Sequence, residues 1–223
     1  MLTEKHLEAI AARYVKNGDV VALGTGEYAE KFLKRLALAI EEKNLEIKFI
    51  PSSFRMAEIA SSLGLKIASI NEHEIDVALE FVDLIDADFN FIKRNSHSLV
   101  LDKMIAQSAA NLIAVCNEKG FVRKLSGTIP FEISTFGHLR TVHQLESFGK
   151  AKLKKKENGI FKTDSNNYVV DVEFSGIHNL HDLEHASKNI PGVLETGLFL
   201  GYADTVMIAG KEKITVKSRL TNK

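Results

Sequence analysis

Apolar residues Leu7, Ile10, Ala11, Tyr14 and Val15 recur at helical spacing over residues 4–16, and Asn17-Gly18 closes the pattern, so an amphipathic helix opens the chain. Residues 19–23 are a short apolar run leading into Gly24-Thr25-Gly26, after which Ala29, Phe32, Leu33, Leu36 and Ile40 resume the helical period. That reads as strand, glycine turn, helix. The same alternation predicts a strand over 47–50, a helix over 54–63, strands over 67–70 and 75–81, a helix over 99–111 and a buried strand over 112–116. Regular β and α alternation implies a parallel sheet with helices on its faces. Beyond Thr128 the grammar changes: strand 131–134, helix 138–148, a hairpin pair 151–157 and 168–174, helix 181–188 and strand 193–199. This βαββαβ order is the split arrangement of a ferredoxin-like unit. Two last runs, 205–209 and 213–217, have no helix between them and suit a return to the first sheet. The expected fold is therefore α/β. A Rossmann-like main domain of residues 1–128 plus 202–223 carries an inserted ferredoxin-like small domain at 129–201.

Composition narrows the function classes. The 223 residues are 45% hydrophobic and 26% charged, which marks a globular chain, and no window reaches the ~20 apolar residues of a membrane span. Lysine plus arginine equals aspartate plus glutamate at 29 each, so no overall field draws the chain to nucleic acid or an anionic membrane. An anionic ligand must meet a local site. The lysines of residues 150–156 alternate with Ala151 and Leu153 and read as the solvated face of an edge strand. A single cysteine, Cys116, rules out an internal disulfide or a cysteine-rich zinc site, and no signal-peptide apolar block follows Met1, so a cytoplasmic protein is expected.

The glycine turn is the first candidate site. Glycines there permit positive φ and close backbone approach, and the helix start offers unpaired N–H groups to an anion. Gly24-Thr25-Gly26-Glu27-Tyr28-Ala29 also satisfies a G-x-G-x-x-A pattern. A nicotinamide site, however, wants an acid at the end of the second strand, where this chain has Pro51-Ser52-Ser53. A phosphorylated small molecule suits the turn better, with a purely structural turn as the other reading. His181-Asp182-Leu183-Glu184-His185 fits H-x-x-E-H, but no third ligand is picked out by spacing, so these read as solvent-facing histidines and no metal is assigned.

Several segments together resemble the type A ribose-5-phosphate isomerases, within a wider superfamily of sugar-phosphate isomerases and CoA transferases. They are Tyr14-Val15-Lys16-Asn17-Gly18 with Val21-Ala22-Leu23-Gly24-Thr25-Gly26; Asp88-Phe89-Asn90-Phe91-Ile92-Lys93; Pro130-Phe131-Glu132-Ile133; and Ile190-Pro191-Gly192-Val193-Leu194-Glu195-Thr196-Gly197-Leu198-Phe199. The resemblance spans nearly the whole chain. It implies aldose–ketose isomerisation of ribose 5-phosphate and ribulose 5-phosphate in the pentose phosphate pathway, no cofactor, and a homodimer or homotetramer. Carried over position by position, it also shows departures. The family's Gly-Thr-Gly-Ser-Thr loop continues here as Glu27-Tyr28; its Asp-Gly-Ala-Asp-Glu segment becomes Glu80-Phe81-Val82-Asp83-Leu84; the glycines after its lysine become Arg94-Asn95-Ser96; and Arg-Glu-Lys becomes Leu101-Asp102-Lys103. A later substrate-contacting lysine falls on Lys119.

Such an isomerisation removes a proton beside a carbonyl and returns it next door, which needs a carboxylate base and a cation or donor at the developing oxyanion. The resemblance makes Asp102 the base and Lys93 the oxyanion partner, gives Glu80 and Asp83 the hydroxyl protons of ring opening, and lets Gly24, Thr25, Gly26, Glu27, Tyr28, Arg94, Asn95, Ser96 and Lys119 hold the sugar phosphate. Aspartate stops about 1.5 Å short of glutamate, and about 1 Å of misplacement costs roughly a hundredfold in rate. The paired exchange therefore opens a second assignment: Glu80 takes the proton and Asp102 keeps a hydrogen-bonding role. The alternative function is a diverged sugar-phosphate-binding homologue with lost or altered catalysis.

Overall fold

The computed structural model describes residues 2–157, 159–174, 179–211 and 213–219. Helix α1 (Glu4–Tyr14) starts at Thr3, whose side chain and backbone both bond His6, and turns Leu7, Ile10 and Ala11 inward. Strand β1 (Val20–Leu23) then feeds α2 (Glu27–Lys43), followed by β2 (Lys48–Pro51), α3 (Phe54–Ser62) and β3 (Val77–Phe81). Two short strands, β4 (Leu84–Ile85) and β5 (Phe91–Ile92), precede α4 (Leu99–Ser108), β6 (Leu112–Asn117) and a turn of 3-10 helix at Glu118–Gly120. The second half runs β7 (Gly127–Ile133), α5 (His138–Leu145), β8 (Lys150–Leu153), β9 (Lys155–Lys156), β10 (Gly159–Ile160), β11 (Tyr168–Phe174), α6 (Leu180–Lys188) and β12 (Val193–Thr196). Strands β13 (Leu198–Phe199), β14 (Thr205–Ala209) and β15 (Ile214–Ser218) close the chain.

The main sheet has six strands in the order β15-β14-β6-β3-β1-β2, parallel except for β15. Both faces are covered, so alternate residues of one strand enter different cores. Val21 and Leu23 pack with Phe32, Leu33 and Leu36 of α2, whereas Ala22 joins Ala78, Ala114 and Ile105 on the α4 side. The second sheet, β12-β7-β11-β8, is antiparallel, and with α5 and α6 it has the ferredoxin-like order. Strands β14 and β15 extend the main sheet after that excursion.

Three sequence expectations are corrected. Residues 67–70 form no strand: a single parallel bridge joins Phe49 to Ile67 beyond the edge strand β2, and the chain turns away at Ser69. The helix expected to reach residue 111 stops at Ser108, because Ala109 is extended and bridges Ile75. The strand expected over 193–199 breaks at Gly197, whose N–H turns to Pro130 O, and Leu198–Phe199 pairs instead with β5 in a third sheet, β13-β5-β4, whose other two-residue strands carry no readable period. Phe91 stacks on Phe199 across it at 4.5 Å, which fixes the strand that delivers Lys93.

Candidate active site

Among the parallel strands the order β2-β1-β3-β6-β14 reverses direction at β1, and ligands of open α/β sheets gather beyond the carboxyl ends of strands at such a switch point. Both β1 and β3 end there, β1 in Gly24-Thr25-Gly26 and β3 in Glu80-Phe81. Gly24 is a glycine because the Glu80 carboxyl occupies the space a Cβ would need. Gly26, at the start of α2, has φ 124, a conformation that favours glycine.

Three buried charges meet behind this turn. Lys93 is 1% exposed and Glu80 and Asp102 are 0% exposed. The Lys93 Nζ lies 2.5 Å from Glu80 Oε2 and 2.5 Å from Asp102 Oδ2. Lys93 is held from behind by its own N–H, which donates to Gly197 O at 2.9 Å. Asp102, in the first turn of α4, accepts from Thr25 N at 2.9 Å through Oδ1, and from Thr25 Oγ1 at 2.9 Å and Ser96 Oγ at 2.7 Å through Oδ2. Both oxygens of Asp102 are engaged. Glu80 is different: its Oε1 is buried and has no partner.

One ammonium cannot neutralise two buried carboxylates, so the cluster favours holding one extra proton. Burial, reinforced by the Asp102 charge and opposed by Lys93, pushes the Glu80 carboxyl up to about 8. Burial works against the Lys93 ammonium, but the charges of Asp102 and Glu80 outweigh it and hold the group above its ordinary range. Buried ion pairs are poor sources of stability, and a cluster like this in a cleft points to chemistry.

Lys93 alone of the three reaches the adjoining cavity, which has a volume of about 260 Å³ and is walled by Thr25, Gly26, Tyr28, Asp83 and Asn95 among others. Phe81, Val115, Cys116 and Asn117 also line it. These were not singled out in the sequence, although the carboxyl ends of neighbouring parallel strands are where such residues belong. Glu27 stands at the rim, exposed and paired with Lys31 at 2.6 Å. Asp83 accepts from Arg94 N at 2.7 Å and so anchors the loop after Lys93.

Three expected ligand residues lie elsewhere. The Arg94 guanidinium donates to Ser126 O and Thr128 O, both at 2.9 Å, and does not line the cavity, because the carbonyls at the start of β7 capture it. Ser96 is turned onto Asp102. Lys119 is exposed beside a separate cavity of about 350 Å³, with Asn117 between the two. His181 and His185 are exposed on α6. Lys103, by contrast, is buried, bonding Glu184 at 2.9 Å and Glu195 at 2.7 Å.

The model of the family "Ribose 5-phosphate isomerase A (phosphoriboisomerase A)" matches residues 48–213. The chain belongs to that family. It is 32% identical to ribose-5-phosphate isomerase A of Methanothermobacter thermautotrophicus over 91% of each chain. Among solved structures, ribose 5-phosphate isomerase A of Methanocaldococcus jannaschii superposes with a TM-score of 0.89 at 26% identity, covering 97% of both chains. A D-ribose-5-phosphate isomerase solved in complex with phospho-erythronic acid gives a TM-score of 0.89 at 28% identity, covering 98% of this chain and 100% of that one. Family membership matches the resemblance read from the motifs.

Proposed function

We propose that the chain interconverts ribose 5-phosphate and ribulose 5-phosphate through an enediol, using side-chain acid–base chemistry. The observation that carries the reading is the Lys93 ammonium at the cavity wall with a carboxyl oxygen on each side at 2.5 Å. Family membership supplies the substrate, and a relative solved with phospho-erythronic acid supports a phosphorylated sugar chain as the ligand type.

The phosphate takes the first-turn N–H groups of α2, which have no helical partners and sit at the positive end of the helix dipole. The carbonyl end of the open-chain aldose meets Lys93. Its oxygens draw the flexible ammonium toward the cavity and uncover the carboxyl behind it. In its ionised form Glu80 takes the C2 proton, while Lys93 stabilises the negative charge that develops on O1. The C2 hydroxyl passes its proton to O1 as O2 becomes the ketone, Glu80 returns the proton it took from C2 to C1, and the product is the ketose with no net change in the protein. Asp83, on the cavity wall, serves the hydroxyl protons of ring opening. Asp102, the base expected from the motif, has both oxygens held by Thr25 and Ser96 and keeps a fixed hydrogen-bonding role, whereas Glu80 has an oxygen with no partner.

A cytoplasmic homodimer or homotetramer is the setting we propose, from the family resemblance. The test is to incubate the purified chain with ribose 5-phosphate, follow ribulose 5-phosphate, and titrate the sugar in a thermal-shift assay. Turnover supports the isomerase. Stabilisation without turnover points to the sugar-phosphate binder, and neither response sinks both readings.

A further inference from the structure

Glu132, on β7 of the second sheet, is 0% exposed, and among the described residues no cation pairs with it. Its Oε1 accepts from Thr163 Oγ1 at 2.8 Å and Asn167 Nδ2 at 2.9 Å, and its Oε2 from Val100 N at 3.1 Å and Ser98 Oγ at 3.2 Å. A buried carboxylate without a counter-ion is costly, so its place in the fold calls for a purpose. Val100 N is one of the first-turn donors of α4 that the helix cannot satisfy, and the dipole there favours a negative group. Glu132 thus caps, from another sheet, the helix that carries Asp102.

The same segment controls the two hydroxyls that hold Asp102. Ser98 N donates to Ser96 Oγ at 3.0 Å, and Ser96 Oγ donates onward to Asp102 Oδ2 at 2.7 Å. His97 N donates to Thr25 Oγ1 at 2.8 Å, and Thr25 Oγ1 donates onward to Asp102 Oδ2 at 2.9 Å. Each hydroxyl accepts from a backbone N–H of residues 97 and 98, which turns its proton toward Asp102. On the far side, Asp164 N donates to His97 O at 3.0 Å, so the segment is clamped between Glu132 and residues 163–167.

We propose that Glu132 is a positioning residue for the isomerisation: its carboxylate fixes residues 96–100 so that the Ser96 and Thr25 hydroxyls hold Asp102 against Lys93. The inference rests on the isomerase reading above. It assigns the second sheet a part in the chemistry without contact to the sugar.

The experiment compares Glu132→Gln with Thr163→Val in the same ribose 5-phosphate assay as the wild type. The glutamine has one acceptor oxygen for four donors, so α4 or the 163–167 segment must let go. Thr163→Val removes a buried bond from the same carboxylate but leaves its hold on Ser98 and Val100. Glu132→Gln is expected to lower kcat at least about tenfold with KM within about twofold, whereas Thr163→Val keeps kcat within about twofold, since misplacement affects the transition state more than sugar binding. Should Glu132→Gln fail to fold, Glu132→Asp, with its carboxylate drawn back, is expected to lower kcat at least about threefold with KM again unchanged. Unchanged kcat in the variant that folds, or equal kcat losses with Thr163→Val, overturns the inference and leaves the isomerase standing. A wild type without turnover removes the isomerase reading and this inference with it.

Discussion

Replacing Glu80 and Asp102 one at a time separates the group that moves the proton from the group that fixes the charge. Glu80→Gln keeps the size of the side chain and one acceptor for Lys93, but removes the carboxyl whose Oε1 has no partner and whose pKa is pushed up to about 8. General acid–base catalysis contributes about 10²–10⁴-fold, which at about 1.4 kcal/mol per decade is roughly 3–5 kcal/mol of barrier. The variant is expected to lose kcat by that factor and to lose exchange of the C2 hydrogen with solvent, followed by NMR in deuterated buffer. Asp102→Asn acts otherwise. Its NH₂ faces donors in place of an acceptor, and breaking a buried charge pair of this kind costs about 3–5 kcal/mol of stability. The Asp102 charge also helps hold the Glu80 proton on. Without it Glu80 ionises at lower pH, so the variant is expected to keep C2 exchange, slowed, with the pH–rate limb moved to lower pH. Loss of exchange in Asp102→Asn together with its survival in Glu80→Gln refutes the assignment and returns the base to Asp102.

Further outcomes follow from the same geometry. Glu80 has a raised pKa in the folded chain, so its contribution to stability is fully present below its unfolded value near 4.5 and is lost as pH rises through about 8; denaturation at several pH values is expected to show that decline, and a decline equally steep in Glu80→Gln contradicts it. Gly24→Ala places a methyl where the Glu80 carboxyl sits and is expected to cost about 1–3 kcal/mol in denaturant unfolding and at least about a hundredfold in kcat; a neutral result shows that Glu80 moves freely. Cys116 lines the cavity, but burial pushes its thiol up to about 12, so the native chain is expected to resist iodoacetamide at pH 8, and mass spectrometry showing rapid labelling argues against that environment.

The parts of this architecture with a period were legible in the sequence. Strand β1, the glycine turn and α2 followed from apolar spacing, and the ferredoxin-like order followed from the change of rhythm after Thr128. Strands β4 and β5 were not legible, because two residues carry no alternation, and Leu198–Phe199 read as the end of the 193–199 strand rather than as their partner; yet this small sheet delivers Lys93. Of the site, Lys93, Glu80 and Asp102 could be named from the motifs, and the structure brings them together. The sequence was silent on which lone pairs remain open. That depends on the Thr25 N–H and the Thr25 and Ser96 hydroxyls, set 77 and 6 positions from Asp102. Arg94 shows the opposite case: its chemistry suits phosphate, but the backbone carbonyls of Ser126, just before β7, and of Thr128, within it, claim it first. Glu132 looked like an ordinary motif residue until the fold set its carboxylate against the first turn of α4.

The central claim is that the Lys93 ammonium, shared between two buried carboxylates, is the chemical centre of the site. Its most direct test is steady-state conversion of ribose 5-phosphate by the wild type and by Lys93→Met, which keeps much of the stem but no charge. The account predicts ketose formation by the wild type and a loss of kcat of at least about a hundredfold in the variant, the scale reported when a group stabilising an oxyanion is removed. Turnover by Lys93→Met within about tenfold of the wild type would contradict it.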